Sequence, residues 1–409
     1  LGFGTYQAFS RKALSALNVN PSRLIGQMTA PPTLLCSATF PSNTGFAWDF
    51  IERSYARMAD RLAANGVRTI VAYPGIDEAP KALAGSAAVP VVLDTELRTA
   101  KSRARIADFI RKENVQVVYF TDRPLWSFWY PFLRKAGARW IVVHDHTSGE
   151  RKASTGIRRV AKRALVNLPG LAADAIVGVS DFVTERDKAA TLIAPEKFRR
   201  VWNGIDPVPL GSDDNRPNIR TLMQVSPDTP VVACACRATS VKGVDVLFAA
   251  FDRVWRAAEK KPVLAYIGSG PQFNDLTTQR ATLPSAANIH MLGYLPGAAD
   301  LLRSATVCVV PSVWQEAFGL SVLEMMVRGR AVVASRVGAI PEIIEHGVSG
   351  LLVPPRDAGA LADALTTVLS SPELQTNLGR AARRRASSLF TAERQISEML
   401  DTFQDVFSR

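Results

Sequence analysis

The sequence predicts an α/β protein built from two Rossmann-like, doubly wound parallel-sheet domains. Three observations carry this: the chain length, a repeated alternation of short apolar runs with amphipathic stretches, and a break between two such series. At 409 residues the chain is longer than one hydrophobic core usually serves. Apolar residues make up 47% against 26 Gly and 25 Pro, a globular rather than a disordered balance. Strand candidates of the first series lie at 33–38, 69–72, 89–93, 115–120, 140–143 and 175–179. A helical pattern fills 46–65, with Gly66 as its terminator. The turn-rich stretch 203–218 reads as a linker. Strands of the second series are expected at 231–236, 263–267, 289–292, 307–310, 331–334 and 350–353. Such alternation builds parallel sheets with helices on both faces, which bind ligands at the carboxyl ends of their strands. The expected organisation is an arm over 1–32, a first domain over 33–203, a second over 204–390, and a tail helix over 391–409.

Composition narrows the partners. No apolar run reaches membrane-spanning length, and the first residues lack the apolar core of a signal peptide. The chain opens on Leu1 rather than Met, which leaves an upstream segment open. Cys36, Cys234, Cys236 and Cys308 all fall in apolar strand-like segments and read as small buried hydrophobes in a reducing compartment. Cys234 and Cys236 point the same way, but two thiols with no His nearby make a poor metal site. The net charge of +12 sits entirely in the first half: residues 1–200 carry 29 Lys/Arg against 17 Asp/Glu, and the rest balances. The basic segments are 97–112 and 151–165. They suit an acidic substrate or an anionic membrane surface, and equally suit solvated helix faces that keep the protein soluble. No nucleic-acid-binding motif accompanies them.

The second half carries the chemistry. Glu316 follows the strand at 307–310 in a loop, and Glu324 lies about a turn into the next helix. Gly319 lets this loop approach a ligand, and the first N–H groups of the helix face an anion. Glu324 is suited to accept hydrogen bonds from hydroxyls. Arg237 and Lys242, five residues apart after the strand at 231–236, place a planar fork and a point charge in one strand-to-helix loop, a pair suited to a diphosphate. Each piece has a plain alternative: a capped helix with surface acids, a basic loop, and a turn for Gly268-Ser269-Gly270.

Order and spacing together are more specific. The Arg237-x4-Lys242-Gly243 loop, the Gly268/Gly270 turn, the Glu316–Glu324 segment and the continuation through Gly338-Ala339-Ile340-Pro341-Glu342 resemble the donor site of family 4 glycosyltransferases of the GT-B fold. The likeness covers about 203–395 and departs from the family at Cys236, where a Gly is usual. It implies two domains facing a cleft, a nucleotide diphosphate sugar as co-substrate, no metal or other cofactor, retention of anomeric configuration, and a tail helix returning to the first domain. The implied catalytic residues are Glu316, Arg237 and Lys242. Phe318, Gly319 and Leu320 would hold sugar and β-phosphate, Glu324 the ribose, Gly268 and Gly270 the nucleotide, and Leu292-Gly293-Tyr294 the base edge. No Asp-x-Asp occurs, so the cations would do a metal's work.

In the first half, the resemblance makes His146 the histidine beside the transferred sugar, while Gly45, in a turn that opens a helix, allows close approach of donor phosphate or acceptor. Both have ordinary alternatives: a packed or surface imidazole, and a turn with an Asn/Thr helix cap at 41–48. Within 144–150, His144 is as well read as a packed residue, and Asp145 is the least promising of the three. The aromatic run 124–132 is either core or an apolar acceptor pocket. The reading is a hexosyltransferase acting on a glycan or lipid-linked acceptor in cell-envelope or polysaccharide biosynthesis, cytoplasmic and peripheral at the inner membrane face. The alternatives are a non-catalytic sugar-nucleotide-binding scaffold and a nucleotide-sugar epimerase. A Ser/His/Asp hydrolase lacks its Gly-x-Ser-x-Gly elbow and an NAD enzyme its Gly-x-Gly-x-x-Gly.

Overall fold

In a computed structural model of the chain, the structure describes residues 32–209 and 218–407. The expected arm over 1–32 falls almost wholly outside these residues, as does the 210–217 half of the linker at 203–218. The first sheet comprises β1 (Thr33–Ser37), β2 (Arg68–Tyr73), β3 (Ala88–Val92), β4 (Val115–Thr121), β5 (Trp140–Asp145), β6 (Ala175–Gly178) and β7 (Phe198–Arg200). The second comprises β8 (Val231–Ala235), β9 (Val263–Ile267), β10 (Ile289–Met291), β11 (Val307–Val310), β12 (Val332–Ser335) and β13 (Leu351–Val353). Their strand orders are β3-β2-β1-β4-β5-β6-β7 and β10-β9-β8-β11-β12-β13. Both are doubly wound, with the order reversing between β1 and β4 and between β8 and β11.

The residues cluster into two compact units that do not coincide with the sheets. One holds residues up to Tyr119, Phe132–Ile141 and the chain from Leu400; the other holds Phe120–Pro131 and Val142–Met399. Strands β4 and β5 therefore each begin in the first unit and end in the second. In the first unit, Tyr119 packs edge-to-face on Phe403 at 5.8 Å and Trp140 lies 4.7 Å from Phe407, so the tail helix Ala392–Phe407 ends among the residues that carry β4 and β5.

In the second unit, strand residues alternate between two buried faces. Val307 and Val309 join the cluster of Val244, Leu247, Phe248 and Leu365, while Cys308 and Val310 join that of Val322, Leu323, Met326 and Ile343. Burial on both faces is why β11 reads as an unbroken apolar run. β7 was not expected, because Phe198-Arg199-Arg200 is a charged edge strand without that run. The cysteines follow the same pattern: Cys36, Cys234 and Cys308 are buried within strands, and burial pushes the Cys308 thiol up to about 12. Cys236 lies just past the end of β8 and is half-buried, its sulfur 3.7 Å from that of Cys234.

Candidate active site

The order reversal of the second sheet brings two loops together. The chain leaving β8 carries Arg237 and Lys242, and the chain leaving the adjacent β11 carries Glu316. Lys242 Nζ lies 2.5 Å from Glu316 Oε1, and Ser312 Oγ donates to the same oxygen at 2.6 Å. The loops also join through the backbone, with Val313 N–H donating to Val241 O at 3.0 Å. Among the described residues nothing bonds Glu316 Oε2, and Arg237 is exposed with no ion pair. The site thus presents one neutralised pair, one unengaged cation and one unengaged carboxylate oxygen.

Two glycines are required here by crowding rather than by flexibility. A Cβ on Gly338 would sit 2.1 Å from Glu316 O, and its φ of +51° already favours glycine. Gly338 N–H donates to Gln315 Oε1 at 2.5 Å and Ala339 N–H to Glu316 O at 3.0 Å, so this turn sets the Glu316 backbone. A Gly338→Ala protein is expected to lose at least tenfold in transfer rate and about 1–3 kcal/mol of stability, read by initial-rate assay and denaturant melts. Gly268 is similar: its Cβ would lie 1.9 Å from Cys236 O, and its N–H donates to Gly293 O at 2.8 Å. Gly270 packs against Ala238 in the same way. Leu292 N–H is committed to Tyr266 O at 2.9 Å. The groups at 292–294 that face outward are therefore fewer than the sequence implies.

Phe318 is a core residue, edge-to-face on Phe390 at 5.8 Å, and only its backbone faces the loop. Gly319 caps the helix Leu320–Val327, whose first amides precede the bonds from Val322 and Leu323 to Gly319 O. Glu324 is half-buried in that helix. Burial pushes its carboxyl up to about 7; Arg328 pulls it back and Asp300 adds to the rise.

His146 follows β5, and its loop meets Glu316's. Gly149 N–H donates to Gln315 O at 2.8 Å, and Ala317 N–H to Ser148 Oγ at 3.3 Å. Burial holds the His146 imidazole down to about 4, with Asp145 opposing, so it is neutral at physiological pH. His144 is packed inside, 4.1 Å from His146 between ring centres. Gly45 lies in the first unit, with φ +78°. It is itself the N-cap of the helix Phe46–Ala63, and no side chain caps that end; the Asn/Thr cap expected there is absent because Asn43 Oδ1 accepts from Lys81 N–H and Thr44 Oγ1 donates to Pro41 O. The aromatic run divides: Leu125 and Tyr130 are buried, while Phe128 and Trp129 are exposed.

Several residues were ranked low or given no role from sequence. Asp145 is the hub of this loop: it accepts from Thr147 N–H at 2.7 Å, from Arg186 at 3.0 Å and from Arg151. Arg186 also donates to Thr147 O and Gly149 O at 2.7 and 2.9 Å, and pairs with buried Asp187 at 3.1 Å. Burial and the Asp145 charge push Asp187 upward, while hydrogen bonds and Arg151 hold Asp145 low. Asp122, at φ +54°, accepts the His146 N–H at 2.7 Å and is pushed up by burial to about 7. Glu342 accepts from Asp181 N–H and Phe182 N–H, each at 2.8 Å, and so neutralises the start of the helix Asp181–Thr191. Ser180 Oγ caps that helix and donates to Ala317 O at 2.7 Å.

The comparisons with known proteins agree with this architecture. The model for glycosyl transferases group 1 matches residues 215–385, and that for glycosyltransferase family 4 matches 51–208. The two matches lie one in each half of the chain, which is similar to GT-B glycosyltransferases over both. A D-inositol 3-phosphate glycosyltransferase of Saccharomonospora viridis is 33% identical over 225 residues, 53% of this chain and 52% of that one. A GDP-mannose-dependent α-(1-6)-phosphatidylinositol monomannoside mannosyltransferase of Mycolicibacterium smegmatis is 26% identical over 298 residues, 69% and 75% of the two chains. Anabaena HepE, solved with UDP and glucose, superposes with a TM-score of 0.74 at 20% identity, over 91% of this chain and all of the other. The chain spans about half the length of several curated relatives it matches.

Proposed function

We propose that the protein is a retaining, metal-independent glycosyltransferase that moves a hexosyl group from a UDP- or GDP-sugar to a glycan or lipid-linked acceptor, in the cytoplasm at the inner face of the membrane. The observation that carries this is the Lys242–Glu316 pair beside unengaged Arg237, at the reversal point of a doubly wound sheet. Arg237 and the two spare protons of Lys242 meet the diphosphate, joined by the amides at Gly319 and Leu320. Glu316 Oε2 accepts a sugar hydroxyl, and Glu324 the ribose hydroxyls. Neutral His146 faces the sugar as a hydrogen-bonding group rather than as a cation. The bond from the anomeric carbon to the β-phosphate oxygen breaks as the acceptor oxygen attacks on the same face, and the acceptor proton passes to the leaving phosphate. The cations stabilise the charge growing on that phosphate, which is why no metal is invoked. The relatives' names, an inositol-phosphate transferase and a phosphatidylinositol mannoside transferase, support a polar or lipid-linked acceptor in envelope biosynthesis.

A thermal-shift screen of UDP-, GDP- and ADP-sugars tests the donor class. A cognate donor at 100 times its dissociation constant stabilises the native state by about 2.7 kcal/mol; no shift with any of them sinks the reading. Product configuration by NMR separates retention from inversion, and turnover without acceptor separates an epimerase. Glu324 supplies a pH test. Its carboxyl titrates near 7, and ribose hydroxyls donate best to the ionised form, so donor affinity is expected to rise between pH 6 and 8. A diphosphate sugar has no titration of its own in that window. Calorimetry should show the slope in the wild type and none in Glu324→Gln; an equal slope in both assigns the pH response elsewhere.

A further inference from the structure

The helix Gly156–Val166 is docked the wrong way round for a soluble protein. Its polar side is the anchored one: Lys162 Nζ donates to Ala190 O at 2.7 Å, and Asn167, just beyond, binds Leu192 O and Ala194 N–H at 3.0 and 2.9 Å. Only Val166 is buried. At 100° per residue, Ile157, Val160, Ala161 and Ala164 share the opposite face, and Ile157 is 85% and Val160 69% exposed. The helix therefore turns an apolar stripe to solvent, where it gains nothing from burial.

A second exposed group continues this stripe. Leu168, one turn on, is 52% exposed. The chain after it holds the aromatic loop: Ser127 N–H donates to Leu171 O at 2.8 Å, Ala173 N–H donates to Leu125 O at 3.1 Å, and Trp126 bridges to Ala172. That loop presents Phe128 and Trp129, 60% and 42% exposed. Charge selects the occupant. Between Glu150 and Asp174 the chain has six Lys/Arg and no acid, with Arg158 and Arg163 flanking the apolar stripe.

We propose that the helix Gly156–Val166 with Leu168, Phe128 and Trp129 forms a docking surface for an anionic lipid bilayer, lying in the interface plane. An apolar stripe flanked by cations sits at the headgroup boundary, and exposed aromatic rings favour the same depth. This deepens the peripheral location proposed above and rests on that reading.

The test is co-sedimentation of the full chain with phosphatidylcholine vesicles, with and without phosphatidylglycerol. Wild type is expected to pellet with the anionic vesicles at low salt, several-fold less with the zwitterionic ones, and less as salt rises. Ile157→Glu/Val160→Glu should abolish pelleting, and Arg158→Gln/Arg163→Gln should weaken it and flatten its salt dependence. Both pairs are surface changes, so melting temperature and the donor-induced thermal shift should match wild type. Phe128→Ser provides an independent variant on the other element. The proposal is overturned if wild type stays in solution at low salt, or if the Glu pair pellets as wild type does. It is also overturned if sedimentation velocity finds a wild-type dimer that the Glu pair makes monomeric, which would assign the face to a second copy. Vesicle binding without a thermal shift from any sugar nucleotide would uphold this surface while removing the transferase reading.

Discussion

A Lys242→Ala protein that folds normally should transfer sugar about 10²–10³ times more slowly than wild type, with most of the loss in turnover rather than in donor affinity. The expectation follows from where Lys242 sits. Its ammonium already neutralises Glu316 at 2.5 Å and has two further protons to offer. Loss of one preorganised donor aimed at developing charge typically costs about 2.7–4 kcal/mol of transition-state stabilisation. Donor affinity suffers less, because Arg237 and the helix amides still meet the ground-state diphosphate. Glu316→Gln probes the other half of the pair. The amide keeps a hydroxyl acceptor but gives up the charge that orients Lys242, so its loss should be of similar size. The double variant should then be little worse than either single one, since residues acting as a unit are strongly non-additive. Additive losses would mean that the two side chains act on different parts of the substrate. Wild-type rates in both single variants would remove them from the site.

The sequence made the strands legible where burial on two faces left long apolar runs, as at β8, β9 and β11, whose expected and observed limits agree within a residue. It failed at β7, an edge strand whose arginines break the pattern. The donor loops were legible because their residues are close in sequence and keep a recognisable order; the structure then joined Lys242 to Glu316 across seventy-four positions. Asp145 was not legible. As a charge between two histidines it looks like solvent-facing decoration, and its partners, Arg151 and Arg186, lie six and forty-one residues away. Only tertiary packing tells a buried acid from an exposed one. Asp122 was missed for the same reason: its role rests on a positive φ and on the His146 amide, neither of which is written in local composition.

That buried network gives the second large effect, on stability and on the site together. Arg186→Ala is expected to cost about 3–5 kcal/mol, the usual result of removing one partner from a buried ionic group. The guanidinium binds two acids, Asp145 and Asp187, and two carbonyls, those of Thr147 and Gly149. Arg186→Lys should recover little, because one ammonium cannot reproduce a planar fork serving four acceptors. The same loop meets Gln315 and Ala317, so amide exchange at Thr147–Gly149 should quicken and transfer rate should fall, although Arg186 itself touches no substrate. The pH dependence separates this from a simple packing loss. Asp145 is held low in the native protein, so it contributes stability above its unfolded value near 3.9 and loses that contribution as pH falls through the folded one. Without Arg186 the folded value rises and the contribution shrinks. The stability gap between wild type and Arg186→Ala should therefore be widest near neutrality and narrow as pH falls toward 4, measured by urea melts across that range. A gap independent of pH would show that the arginine fills space rather than balancing charge.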